Sequence, residues 1–198
     1  RRQVLRAARA AGASPRRAPT SPAAARYTGV LYQELAWSTL PAGARRRGDR
    51  QVRIVSGLWG LVAPPDPIPP YRLKMSASLA DLGRLSTWWR PTLAPVVADL
   101  VQGRTVWDLL PQEHEAAMDW SASSPRQRVT VRFEDADGRT VTHWNKLLKG
   151  SLVRWLLLTQ PAGPGDLAAF RHPLGYRLDR RASHLHDEVA TAVLRAAS

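Results

Sequence analysis

Ser56-Gly57-Leu58-Trp59-Gly60-Leu61-Val62-Ala63-Pro64-Pro65-Asp66-Pro67-Ile68-Pro69-Pro70-Tyr71-Arg72-Leu73-Lys74-Met75 decides how this chain is read. Just upstream, Gln51–Ser56 alternates as a strand, with Val52, Ile54 and Ser56 on one side. The strand feeds a Gly-rich turn and then a stiff proline segment, with no regular structure expected over Gly57–Pro70 beyond one short turn. Gly57 and Gly60 let the backbone approach another group closely. The prolines set the chain's direction and lower the entropy lost on ordering it. Asp66, Tyr71 and Arg72 are therefore displayed from a rigid loop at a strand's end, where sites form. The plainer reading is an Asp66–Arg72 ion pair that only braces the loop.

Toward the N-terminus, Arg1–Ala11 reads as a basic helix, with Val4, Leu5 and Ala8 at helical spacing. Gly12–Ala25, with Arg16 and Arg17, reads as a surface loop. A turn at Thr28-Gly29 opens a helix reaching Leu40, with Val30, Leu31, Leu35 and Trp37 inward, and Pro41–Arg50 is expected as a solvated basic loop. Toward the C-terminus, Leu79–Val101 reads as helical stretches broken by Pro91 and Pro95. Thr105–Leu110 is a second strand, and Gln112–Trp120 is helical. Val129–Glu134 and Thr140–His143 are expected to pair as a hairpin across Asp135-Ala136-Asp137-Gly138.

Asn145–Leu158 is the clearest helix: Trp144, Leu147, Leu148, Leu152 and Trp155 share one apolar arc, and Lys146, Lys149, Gly150 and Arg154 lie on the other side. Val189–Ala197 also reads as helix. There is no repeat and no strict βαβ alternation, so a mixed α/β (α+β) fold is expected as a single compact domain over 26–180. A basic helix and linker over 1–25 precede it, and a helical tail over 181–198 follows.

Composition limits the functions open to the chain. Its 198 residues are 44% hydrophobic and include eight Trp, enough to build a core. With no Cys, disulfides, thiolate nucleophiles and Cys-based zinc or iron–sulfur sites drop out, which fits a reducing cytoplasm. No apolar core of signal-peptide length follows Arg1–Gly12, and the apolar run at Trp155–Leu158 is too short to span a bilayer. A cytoplasmic protein without a membrane partner is expected. The first residue is Arg, which suggests that an N-terminal part precedes it.

The net charge of +13, from 29 Lys and Arg against 16 Asp and Glu, attracts polyanions, of which nucleic acid is the commonest. Only Lys74, Lys146 and Lys149 are lysines, however, and Ala and Pro abound, as in a GC-rich source where surface Lys drifts to Arg. The charge reads either as a binding surface or as that bias.

Three constellations could carry chemistry. On the helix, Lys146, Lys149 and Arg154 flank Gly150 and Ser151, whose small side chains leave room for a phosphate; the alternative is a solvated basic face. Such contacts make binding salt-dependent and read no sequence. Asp66, Arg72 and Glu113 are the catalytic candidates, although no spacing rule demands an acid/base pair or a metal site, and the better reading has Glu113 offset the basic cleft or bond to Arg72. His184-Leu185-His186-Asp187-Glu188 invites a metal, but H-x-H on a helix points its rings apart, and an exposed tail is the better reading. No metal and no cofactor is expected. Trp59 suits base stacking, with core packing as the default.

The stretch quoted first also fits S-[GA]-L-[YW]-G-L-[LV]-x-P-x-D-x-I-x-x-Y-R-L, and in this it resembles the YaaA family of bacterial peroxide-stress proteins. Arg26-Tyr27-Thr28-Gly29-Val30-Leu31-Tyr32 is similar to that family's Y-x-G-x-x-Y segment. Trp107–Ala117 sits where the family has a strand and an N-L-A-S-x-E-Y-like motif; Glu113 falls at its Glu, whereas Asp108, Pro111, Gln112 and His114 depart from it. His143–Arg154 resembles the A-K-x-x-[RK]-G-x-x-x-R helix, with Gly150 at the matched glycine. The likeness runs from Arg26 to Tyr176 and fades beyond Arg180, and the family's usual opening strand and Ser-bearing loop are not seen.

The resemblance implies an unusual mixed α/β fold, with a mixed sheet and surrounding helices. It implies a cytosolic role in surviving hydrogen peroxide and limiting iron-driven damage. It further implies non-specific binding of double-stranded DNA in a basic cleft, here through Lys146, Lys149, Gly150 and Arg154. No reaction follows from it. The other open reading is an enzyme with a small-molecule ligand, a nucleotide or nucleobase, in a pocket formed by the Ser56–Met75 loop, with Ser56, Gly57, Gly60, Asp66, Tyr71 and Arg72 as its motif residues.

Overall fold

Helices and short strands alternate irregularly along the chain. The computed structural model describes residues 3–4, 18–80, 82–141 and 144–197. In order these contain β1 (Ser21–Pro22), α1 (Ala23–Arg26), α2 (Val30–Leu35), α3 (Ala42–Gln51), β2 (Ile54–Ser56), β3 (Gly60–Val62), β4 (Pro67–Ile68), β5 (Ser78–Leu79) and β6 (Gly83–Arg84). Then come α4 (Leu85–Val101), β7 (Thr105–Asp108), α5 (Gln112–Glu115), β8 (Gln127–Glu134), α6 (Asn145–Thr159), β9 (Arg177–Leu178) and β10 (Val189–Arg195). The fold is mixed α/β, as expected. Most of the helix expected over Arg1–Ala11, together with Arg16, Arg17 and His143, lies outside the described residues.

Contacts group the chain into two compact units, one of Arg1–Tyr27, Arg47–Gln102 and Leu110–Ser124, the other of Thr28–Arg46, Gly103–Leu109 and Pro125–Ser198. In the first, β2 and β3 pair antiparallel with Ile54 opposite Val62, so the Gly-rich turn is a hairpin. All three β2 residues are buried, which covers both faces of the strand. Ser21 pairs with Ile68 across β1 and β4, and the N–H groups of Ala23 and Ala24 donate to the carbonyls of Asp66 and Pro64. The start of α1 is thereby fastened to the proline loop.

Pro91 and Pro95 do not break α4, which runs unbroken over Leu85–Val101. Leu85, Trp89, Leu93, Val97 and Val101 form a buried stripe four residues apart, while Thr87, Pro91, Pro95 and Asp99 are exposed. Each proline removes one N–H donor on the wet side, where water can serve the freed carbonyl.

The second unit holds a four-stranded sheet in the order β7-β8-β10-β9. β8 is parallel to both β7 and β10, and β10 is antiparallel to β9, so the sheet is mixed. Val129, Val131 and Phe133 of β8 stand beside Ala190, Ala192 and Leu194 of β10, and Leu148 and Leu152 of α6 join them in one core with Leu167, Phe170 and Tyr176. The helix expected over Val189–Ala197, and with it the helical tail over 181–198, is replaced by β10. Helix propensity in this Ala-rich segment yields to an alternation that pairs with β8 along seven positions.

Two local readings also change. Residues 42–51 form α3 rather than a loop, because Pro41 stands just before the helix, its carbonyl accepts the Arg45 N–H, and Ala44 and Gly48 share a buried face. Val30 on α2 points outward at 49% exposure. Of the hairpin expected after β8, the described residues show one bridge, Glu134 to Thr140, closed by a turn in which the Asp135 carboxylate accepts the N–H groups of Asp137 and Arg139.

Candidate functional site: a hydroxyl chain under the motif loop

Two glycines allow the motif loop to fold tightly. A Cβ at Gly57 would meet the Leu73 carbonyl oxygen at 2.6 Å, and Gly60 takes φ +76° with the Trp89 ring beside it. The indole N–H of Trp89 donates to the Gly57 carbonyl at 2.9 Å. The close approach expected of Gly57 and Gly60 is therefore made to the protein itself, namely the 73–74 backbone and Trp89.

This packing brings Tyr71 back over the hairpin. Its hydroxyl lies 2.6 Å from the Ser56 hydroxyl and 2.6 Å from the Tyr27 hydroxyl, so three hydroxyls form one hydrogen-bonded chain. Ser56 is buried and accepts the Trp59 N–H at 3.1 Å, and in each hydroxyl pair either oxygen can be the donor. The two phenol rings meet edge-on, with centroids 6.4 Å apart.

The carboxylate candidates do other work. Asp66 Oδ2 accepts the Ala63 N–H at 2.8 Å, closing the loop on its own backbone, and the expected Asp66–Arg72 ion pair is not formed. Arg72 is exposed, with no side-chain partner among the described residues. Glu113 Oε2 accepts the Ser76 hydroxyl at 2.8 Å rather than bonding Arg72. An open cleft of about 420 Å³ lies beside α5, lined by Arg90, Gln112, Glu115, Met118, Asp119, Trp120 and Ser121 but not by Glu113. There the Ser121 hydroxyl at 2.6 Å, helped by Arg90 at 3.8 Å, holds the Asp119 carboxyl below its ordinary range.

In the other unit, α6 spends much of its polar side on α2. Gly150 is buried, and a Cβ there would collide with the Leu31 carbonyl and the Glu34 side chain. Arg154 donates to the carbonyls of Leu35 (3.0 Å) and Ala36 (3.2 Å), capping the C-terminal end of α2 where the helix dipole favours a cation. Lys149 donates to the Leu109 carbonyl at 2.9 Å, and Lys146 is exposed.

The Ser151 hydroxyl donates to Glu34 Oε1 at 2.8 Å and accepts from His172 Nε2 at 3.1 Å. His172 Nδ1 takes the Leu174 N–H at 3.1 Å, which places the ring's own proton on Nε2. His172 is therefore not a base for Ser151. Burial lowers its pKa, against an opposing pull from Glu34. Among the described residues, no three His, Asp or Glu gather as a metal site, and no helix is long and apolar enough to cross a membrane.

A family model described as peroxide stress protein YaaA matches residues 2–182. The chain belongs to the YaaA family. It is 39% identical over 164 residues to the UPF0246 protein of Streptomyces coelicolor, covering 81% of this chain and 63% of that relative. A UPF0246 protein of Corynebacterium glutamicum is 34% identical over 150 residues, covering 72% of this chain and 57% of the relative. One from Dinoroseobacter shibae is 33% identical over 163 residues, covering 79% and 61%. The chain thus spans less than two thirds of these relatives.

Two of the YaaA-like blocks meet in the hydroxyl chain: Tyr27 comes from one, Ser56 and Tyr71 from the other. Sequence reasoning does not single out Tyr27, although its place in a matched block was the available signal. Glu34 and His172 gave none, since nothing local ties them to Ser151.

Proposed function

We propose that this YaaA-family chain is a cytosolic protein of the peroxide-stress response that limits iron-driven oxidative damage by binding double-stranded DNA without sequence preference. The stress role is supported by the family. The DNA role is carried by one observation: in the unit that bears α6, Arg45, Arg46, Arg126, Arg132, Arg177 and Arg181 are exposed, and none forms an ion pair with a described carboxylate. Charge left unneutralised in this way suits a phosphate backbone. With Lys149 and Arg154 engaged by backbone carbonyls, Lys146 and these arginines are the better contacts. Fluorescence anisotropy with an unrelated set of duplexes tests the reading: affinity falls steeply with salt and is similar for every sequence. No binding at low salt, or no loss in a Lys146→Ala/Arg132→Ala variant, would sink it.

A second reading is an enzyme acting on a nucleotide or nucleobase beneath the Ser56–Met75 loop. It draws on the Ser56–Tyr71–Tyr27 hydroxyl chain and on the exposed Arg72 close to Tyr71 in sequence. A thermal-shift panel of nucleotides tests it, with Arg72→Ala as the variant that should erase any shift.

A further inference from the structure

The Tyr27–Tyr71 pair holds two phenols in hydrogen-bond contact, edge to face. Their hydroxyls are 2.6 Å apart, and the rings meet at 86° with centroids at 6.4 Å, so the carbons ortho to the two hydroxyls are the ring atoms that flank the hydrogen bond. The two backbones are fastened together nearby, through Ser21 opposite Ile68 and the N–H groups of Ala23 and Ala24 on the Asp66 and Pro64 carbonyls. The backbone is thus already ordered, and only the two side chains have to reorient before the rings couple. A phenol that is hydrogen-bonded to another hydroxyl can give up its proton as it loses an electron, and Tyr71 has two such neighbours in Ser56 and Tyr27.

Among its sulfur groups the chain offers an oxidant little competition, and of its eight Trp the exposed Trp144 is the competing site. The chain has no cysteine, and both methionines, Met75 and Met118, are buried.

We propose that Tyr27 and Tyr71 form an intramolecular dityrosine cross-link when the protein meets hydrogen peroxide activated by a one-electron catalyst such as a haem peroxidase. Each phenol loses one electron and one proton, giving two phenoxyl radicals. An ortho–ortho carbon–carbon bond forms, and each coupled ring regains aromaticity as its ortho hydrogen moves to oxygen. The two electrons and two protons reduce one hydrogen peroxide to two waters, so the protein loses two hydrogens and gains no oxygen. The product ties α1 to the motif loop.

The test is to treat the full chain with limiting peroxide and a haem peroxidase, then measure dityrosine fluorescence, intact mass and a peptide map. The expected product is monomeric, lighter by two hydrogens, with Tyr27 and Tyr71 in one cross-linked peptide. Tyr27→Phe and Tyr71→Phe each abolish that species, and Tyr32→Phe retains it. Oxygen addition at Trp without a Tyr27–Tyr71 peptide, or a loss of two hydrogens that persists in Tyr27→Phe, overturns the proposal. Because the peptide map is made on the unaltered chain, misfolding of a variant does not blunt the test.

Discussion

Gly60 lies against Trp89 so closely that a Cβ at residue 60 would come within 2.7 Å of the indole ring. Trp89 is almost wholly buried on α4, and its N–H holds the Gly57 carbonyl, so the ring cannot swing aside without breaking that bond. Gly60→Ala adds a collision to a backbone at φ +76°. The expected loss is about 2–4 kcal/mol in urea unfolding. Trp89→Phe removes the donor and should cost about 1–3 kcal/mol. An unchanged unfolding midpoint for Gly60→Ala would mean that the loop does not pack this way.

The polar side of α6 separates two kinds of basic residue. Arg154→Ala takes the side-chain donor from the Leu35 carbonyl, while Thr39 still holds the Ala36 carbonyl, and should lower stability by about 1–3 kcal/mol. Lys146→Ala touches nothing buried and should stay within about 0.5 kcal/mol of the parent. If DNA is the partner, Lys146→Ala should also flatten the dependence of log affinity on log salt by about one contact. Thermal melts and a salt titration on both variants check the contrast.

Tyr71 links Ser56 to Tyr27, so removing its hydroxyl takes one hydrogen bond from each neighbour. Tyr71→Phe should cost about 1–3 kcal/mol, and Ser56→Ala a similar amount, because alanine takes the acceptor from the Trp59 N–H and a partner from the Tyr71 hydroxyl. The double variant should lose less than the sum, by about 0.5–3 kcal/mol of coupling. Strict additivity in a double-mutant cycle would dissolve the chain into independent contacts.

His172 should make stability sensitive to acid. Burial lowers its pKa from the ordinary 6.5, so the unfolded chain binds a proton more readily than the folded one. The stabilisation is complete above about 6.5 and is lost as pH falls through that value towards the lowered one of the folded ring. A protonated Nδ1 would also face the Leu174 N–H that it now accepts. Denaturant unfolding between neutral and acid pH should show this slope, and His172→Gln should reduce it. A profile identical in the variant would assign the acid sensitivity to other groups.

Local pattern was enough to place the family, the mixed α/β class, the helix at Asn145 and the strand ending at Ser56, because short-range periodicity and the motif spacing encode those features directly. It left the strands Gly60–Val62 and Pro67–Ile68 unread, since they exist only through their pairing with residues elsewhere. Pairing over distance was not legible. Whether Val189–Arg195 is helix or strand depends on β8 standing beside it, and the continuity of α4 through two prolines depends on which side of the helix is buried. The partners of Gly57 and Gly60, and the meeting of Tyr27 with Tyr71 across 44 positions, exist only once the chain has folded back on itself. Sequence alone named the residues of the motif loop. Tertiary packing decided which of them face one another, since hydrogen bonds and close contacts act through space and not along the chain.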